Sequence, residues 1–346
     1  MNPNTSLSRV LTALGHQEPD KVPLFLLLTM HGARELGMSV QEYFSNGEYV
    51  AEGQLRLQAK YDNDCYYTFF YAPIEVEAAG ASVLFRDETP PNTGMPILKT
   101  VEDIRRFEPA RVEESEVLQK VLKTTATLKA KAGDSIPIIG VVMSPFSIPV
   151  MQMGYDKYFL LMMREPESFQ LLMEKNIRFC VDWANAQLKA GATAICYFDP
   201  VSSSSMVTPS QYLEKGYRIA CETLAQINGP TATHFASGKS IPIIDRVAET
   251  GTAVLGVSCK EDIGELKHLA KNKISLLGNL NGIEMINWTE QEAEFQVKEI
   301  IRKAGKGGGL IISDNHGEIP MQVPEKVLLA IRRAVDQWGK YPLDWI

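Results

Sequence analysis

The fold class predicted by this sequence is α/β: a single (β/α)8 TIM barrel with a hairpin insertion after its second strand. Three observations predict it. Eight apolar runs of strand length recur along the chain, at residues 22–29, 64–71, 137–145, 192–200, 231–237, 253–260, 275–281 and 309–315. Stretches of helical period lie between most of them, among them residues 166–188, 209–227, 290–304 and 324–338. The ends of the runs carry an unusual set of polar and metal-capable side chains.

Near-continuous apolar strands alternating with amphipathic helices indicate a parallel sheet buried on both faces. Eight such units predict a closed barrel, with an open doubly wound sheet as the alternative. Residues 7–14 read as a short helix ahead of the first run. Residues 74–99 break the rhythm, with Gly80 and the pair Pro90-Pro91 among short strand-like pieces; this is the expected hairpin. Gly305 to Gly309 resembles a phosphate loop in composition but precedes a strand, so it reads as a helix stop and turn. Ser202 to Ser205 reads as a flexible crossover. One domain spanning residues 1–346 is expected.

Composition narrows the function classes. The chain is 45% hydrophobic and 22% charged, with 35 basic and 42 acidic residues and a net charge of -7. No basic run marks a nucleic-acid footprint. Five cysteines at irregular spacing do not form a disulfide framework and read as thiols of a reducing compartment. Residues 1–10 are polar and lack the order of a signal peptide. The longest apolar runs are too short to span a bilayer. A soluble, cytoplasmic protein is expected, with no membrane and no nucleic acid among its partners; a homo-oligomer stays open.

In a barrel the chemistry sits where strands end. Those ends read Tyr71, Met143, Asp199, His234, Cys259, Asn279 and His316. His234, Cys259 and His316 close the fifth, sixth and eighth runs, on one side of the mouth. Imidazole and thiolate are preferred zinc ligands, and three with an open fourth position would make a catalytic zinc site. Each residue also has an ordinary alternative: a hydrogen-bonded polar group for either histidine, a small buried hydrophobe for Cys259. Asp199 is a candidate fourth ligand or catalytic carboxylate, or else a cap for the serine loop. Glu214 is a further alternate ligand, or a surface residue. His16, His31 and His268 are expected at the surface. Tyr71, Met143, Phe198, Met206 and Asn279 are candidates for an apolar substrate pocket with few polar groups.

Several segments resemble one family. Arg9-Val-Leu-Thr-Ala-Leu-Gly15 followed by Pro19-Asp-Lys-Val-Pro23, then Glu77-Ala-Ala-Gly80, Leu277-Gly-Asn279, Ile319-Pro320 and Val323-Pro324-Glu325 resemble uroporphyrinogen-decarboxylase-like proteins in order, from about Arg9 to Trp338. The resemblance implies a (β/α)8 barrel. The family's decarboxylases carry two arginines after the first strand, where this chain reads Met30-His-Gly-Ala-Arg34. They carry an aspartate where this chain has Tyr71. The family's corrinoid-dependent methyltransferases hold zinc at the mouth. Thiol-methylating members show His-x-Cys at the fifth strand and Cys at the eighth; here these read His234-Phe-Ala236 and His316. The chain is more similar to the O-demethylating members, which implies methyl transfer from a methoxylated aromatic compound to the Co(I) corrinoid (cobalamin) of a partner protein. Zinc at His234, Cys259 and His316, and catalytic roles for His234 and Asp199, are expected on that basis. A methylcorrinoid:thiol (coenzyme M-like) methyltransferase and a non-catalytic barrel that binds a corrinoid protein are the alternatives.

Overall fold

In the computed structural model, which describes residues 5–86 and 88–346, parallel strands follow one another around a curved sheet. The first four residues of the polar N-terminus lie outside the described residues. The strands in chain order are β1 (Tyr66–Tyr67), β2 (Val83–Arg86), β3 (Thr89–Thr93), β4 (Ile138–Met143), β5 (Ala194–Phe198), β6 (Thr231–His234), β7 (Val254–Gly256), β8 (Ser275–Leu277) and β9 (Leu310–Ile311). The large sheet runs β1-β4-β5-β6-β7-β8-β9, every pair parallel. Strands paired in chain order, with no reversal, are the barrel pattern and not that of a doubly wound sheet.

The first apolar run completes the ring without forming a regular strand. On one side Phe25 N–H donates to Ile312 O (2.8 Å) and Ile312 N–H to Pro23 O (2.9 Å). On the other, Asp64 N–H donates to Leu24 O (2.8 Å), and the Asn63 side chain bonds both the N–H and the C=O of Leu26 (2.8 and 3.0 Å). Pro23 has no N–H to offer a ladder, and the Asn63 amide stands in for a backbone rung.

Alternation divides the core. Along β5, Ile195 and Tyr197 point outward into the layer under the helices, whereas Ala194 and Cys196 belong to a separate interior cluster with Phe25, Tyr67, Val254 and Leu277. The helix Ser6–Leu14, capped by Thr5, adds Val10 and Leu14 to that interior cluster. The outer helices have local reasons to start and stop. Pro166 opens Pro166–Ala190 and Gly191, at φ 119°, ends it; Thr289 and Glu292 form a capping box on Glu290–Ala304. The glycine run after Ala304 is a turn leading into β9. No helix among the described residues is long and apolar enough to cross a membrane.

The expected hairpin is present: β2 and β3 pair antiparallel after β1. Gln322 Nε2 donates to Glu88 O (2.8 Å), which ties the hairpin turn to the loop after β9. Two expectations change. Ser202 and Ser203 are fully buried, so the first half of the serine loop is packed, while Ser205 is exposed. His31 is buried instead of exposed, its Nε2 3.1 Å from both Ile319 O and Pro320 O, and desolvation pushes it down to about 4.

Candidate active site at the barrel mouth

Where β5, β6 and β9 end, a cavity of about 340 Å³ opens, reaching down the barrel axis to the helix Ser6–Leu14. His234, the last residue of β6, lies in its wall. Its ring stacks on Phe198 at the end of β5 (centroids 5.3 Å apart, planes 26° apart). The ring needs the missing side chain of Gly256 on the neighbouring strand: a Cβ there would stand 2.3 Å from His234 Cδ2. Ala236 N–H donates to His234 Nδ1 (2.9 Å). Burial, and then the nearby His316, pushes His234 down to about 4, so it is neutral at pH 7.

His316 lies in the same wall. With the Asn315 amide oriented to satisfy its neighbours, Asn315 Nδ2 donates to His316 Nδ1 (2.6 Å) and Leu280 O (2.9 Å), while Oδ1 accepts from Cys259 N–H (3.2 Å). Half-burial, reinforced by Lys260, lowers His316 too. The structure therefore brings His234 and His316 together. Cys259 sits behind Asn315, does not line the cavity, and has its thiol raised by burial and by Glu284.

This arrangement does not fit zinc. Among the described residues no three His, Cys, Asp or Glu side chains gather to hold a metal. A ligating histidine donates its second ring N–H to a partner. Here both Nδ1 atoms accept, so in the neutral rings both Nε2 atoms carry protons. In these tautomers neither ring has a free lone pair for a cation.

The other candidates scatter. Tyr71 lines the cavity; its hydroxyl donates to Glu77 Oε2 (2.6 Å) and its ring sits edge-on to Phe85 of the hairpin (5.4 Å). Phe198 lines it too. Met143 packs in a side cluster with Val76, Ala81 and Ile148. Met206 was expected in the pocket but is 40% exposed on the loop after β5. Asn279 was also expected there, but its amide is spent on Ser258 O (2.8 Å) and Glu261 O (3.1 Å). Asp199 is buried outside the cavity wall and accepts from Ser144 Oγ (2.5 Å) and Ser147 Oγ (2.7 Å). Glu214 is exposed and bonded to Ser210.

Two carboxyls in the wall were missed. Asp314 Oδ2 accepts from His316 N–H (3.0 Å) and Gly317 N–H (3.3 Å), and burial pushes the group up to about 7. Glu318 Oε1 accepts from Met30 N–H (2.6 Å), and burial raises it as well. The signal was the stretch Ser313 to Pro320, where His316 drew attention from its neighbours. Among the described residues no Lys or Arg lines the cavity. Arg34, the one arginine left after the first run, gives its guanidinium to Met321 O.

Residues 5–338 match the family described as uroporphyrinogen decarboxylase (URO-D). The chain belongs to that family. Two URO-D relatives show the distance within it. The uroporphyrinogen decarboxylase of Pseudoalteromonas translucida is 24% identical over 359 residues, covering 96% of this chain and 98% of its own. That of Teredinibacter turnerae is 25% identical over 342 residues, covering 90% and 92%. The fold is shared with a methyltransferase from Methanosarcina mazei at a TM-score of 0.87, with 20% identity over 96% of this chain and 98% of that one. A B12-independent methionine synthase that is described as putative, from Listeria monocytogenes, follows at 0.54, with 13% identity over 94% and 98%.

Proposed function

We propose that this URO-D member is a corrinoid-linked methyltransferase that takes a methyl group from a small methoxylated aromatic compound, and not a porphyrinogen decarboxylase. The single observation that carries the reading is that no Lys or Arg lines the cavity among the described residues. Uroporphyrinogen bears many carboxylates and needs cationic partners. Tyr71 and Phe198 in the wall suit an uncharged aromatic ring. The fold shared with the Methanosarcina mazei methyltransferase supports the same direction.

The corrinoid of a partner protein supplies, when bound, the nucleophile for the methyl carbon. The remaining work falls to this chain. Phenolate is a poor leaving group, so charge must be stabilised on the ether oxygen as the bond breaks. His234 and His316, neutral and protonated on Nε2, are donors for that oxygen, and a preorganised donor of this kind is worth about 10²–10³ in rate. The Phe198 stack and the Ala236 N–H fix the His234 ring. The tethered hairpin, through Pro90 and Pro91 in the wall, keeps water away from the oxygen.

The test is incubation of the purified protein with methoxylated aromatic compounds and a reduced corrinoid protein, following the cobalt spectrum, with uroporphyrinogen in parallel. Methylation of the corrinoid and no release of carbon dioxide are expected. Carbon dioxide from uroporphyrinogen, with an unchanged cobalt spectrum, overturns the reading.

A further inference from the structure

We propose that the barrel interior is itself a binding site, one that takes the uncharged apolar body of a ligand (an aromatic ring with a small substituent) and leaves the ligand's polar end at the mouth. Barrel interiors are normally filled by layers of side chains packed to crystal density. Inward residues should then be at least as buried as outward ones. Along β5 the order is reversed: Ile195 and Tyr197, facing out, are fully buried, while Ala194, facing in, is only half-buried. Ala232 on β6, Val141 on β4 and Leu27 of the closing segment are likewise half-buried although they belong to the interior cluster.

The reason is side-chain size. Ala194, Cys196, Ala232 and Val254 line the cavity from β5, β6 and β7, and side chains this small leave space on the barrel axis. The void continues from the mouth down to Val10 and Leu14 of the first helix, which form its floor. Below the mouth the polar side chains in the cavity wall are few, Tyr67, Cys196, Thr193 and Thr231 among mostly apolar ones. Water there would find few partners, and an apolar cavity of roughly 150 Å³ already stays dry and binds benzene or xenon. At about 340 Å³ this one has room for a substituted ring. The inference rests on the proposed function only in taking the mouth as the reactive end.

The test uses the full chain and two probes. Crystals are pressurised with xenon, and benzene is titrated calorimetrically with benzoate as the charged control, in the natural protein and in Ala232→Leu and Ala194→Leu. Xenon is expected between β5, β6 and β7. Benzene should bind at least tenfold tighter than benzoate. Each leucine should weaken benzene at least tenfold without lowering Tm, since it fills a void. If a leucine variant does not fold, Ala232→Val gives the same test with a smaller step. No xenon inside the barrel, or benzene binding equal in all variants, overturns the site. Benzene bound normally with no methyl transfer from any methoxylated ring overturns the function and leaves the site standing.

Discussion

Asp199 and Asp314 follow β5 and β9, both buried and both at the mouth end of the barrel, yet their surroundings differ. Asp199 is enclosed by hydroxyls: Ser144 and Ser147 donate to it, Ser147 Oγ in turn accepts from Val201 N–H (3.1 Å), and no part of it reaches the cavity. Asp314 has two backbone N–H groups on one oxygen and the cavity in front of it. Two donors reach each carboxylate, so what separates them is whether the group faces the cavity, and the strand position alone does not decide that.

The largest expected effect separates the two. Asp199→Ala leaves the hydroxyls of Ser144 and Ser147 without their buried acceptor, which should cost about 3 kcal/mol or more and lower Tm strongly. Asp314→Asn keeps an acceptor for its two N–H groups and should leave Tm at pH 7 nearly unchanged while reducing methyl transfer. Thermal unfolding and turnover measured on both variants check this. A stable Asp199→Ala protein, or a fully active Asp314→Asn protein, would erase the distinction.

Next comes the donor pair beside Asp314. His234→Ala should lower kcat about 10²–10³-fold with the fold intact, on the scale of a lost oxyanion donor. Zinc analysis of the same two proteins sharpens the point. As arranged, the natural protein should hold no stoichiometric zinc; one tightly bound zinc that His234→Ala loses would mean that the rings turn over to ligate it.

The raised carboxyls also predict a pH dependence. His31 and His234, pushed down from 6.5 to about 4, take up protons more readily unfolded, so their contribution is lost as pH falls from 6.5 towards 4. Glu75, pushed up by burial to about 8, and Asp314, up to about 7, do the reverse. Folded, they keep protons that the unfolded chain releases near 4, so their contribution is lost as pH rises through 7 and 8. The two trends oppose each other below 6.5; above it only the carboxyl trend remains. Stability should fall between pH 6.5 and 8, by on the order of 2 kcal/mol from Glu75 alone. Glu75→Gln, which keeps the acceptor for Met143 N–H, should flatten the fall. A denaturant midpoint constant from pH 6.5 to 8 in the natural protein would show that neither carboxyl is held protonated.

Much of the fold was legible because period and caps are local signals. The helix Glu290–Ala304 agrees with its sequence reading at both ends, since Thr289 and Glu292 are three residues apart in the chain. The first run was legible as part of the ring but not as an irregular one, because its rung comes from Asn63, 37 residues away. In the site, His234 and His316 could be placed at one mouth from their strand ends. Their donor character could not, since it depends on which way the amides of Ala236 and Asn315 face. Asp199 looked reactive because the hydroxyls that enclose it include Ser144, 55 residues earlier. His31 was misplaced because its partners, Ile319 and Pro320, come from the far end of the chain.

The smallest expected effect probes how firmly the active side of the comparison is held. Gly256 lies beside His234 across the β6–β7 pair, and a Cβ on it would stand 2.3 Å from Cδ2, 2.6 Å from Cγ and 2.8 Å from Nε2 of the ring. Real side chains do not approach so closely, so in Gly256→Ala the ring must move. It is held by the Phe198 stack and by the Ala236 N–H on Nδ1, and the displacement should be a fraction of an ångström at Nε2. Misplacement of about 1 Å costs about 10² in rate, so a shift of this smaller size should lower kcat/KM about tenfold. Stability should change little, because the cavity gives the ring somewhere to go. Turnover, Tm and the His234 ring signals in a nuclear magnetic resonance spectrum measure the three quantities independently. Ring signals that shift without any loss of turnover would show that Nε2 of His234 does not donate to the reacting oxygen, and the rate effect of His234→Ala would then belong to the packing of Phe198.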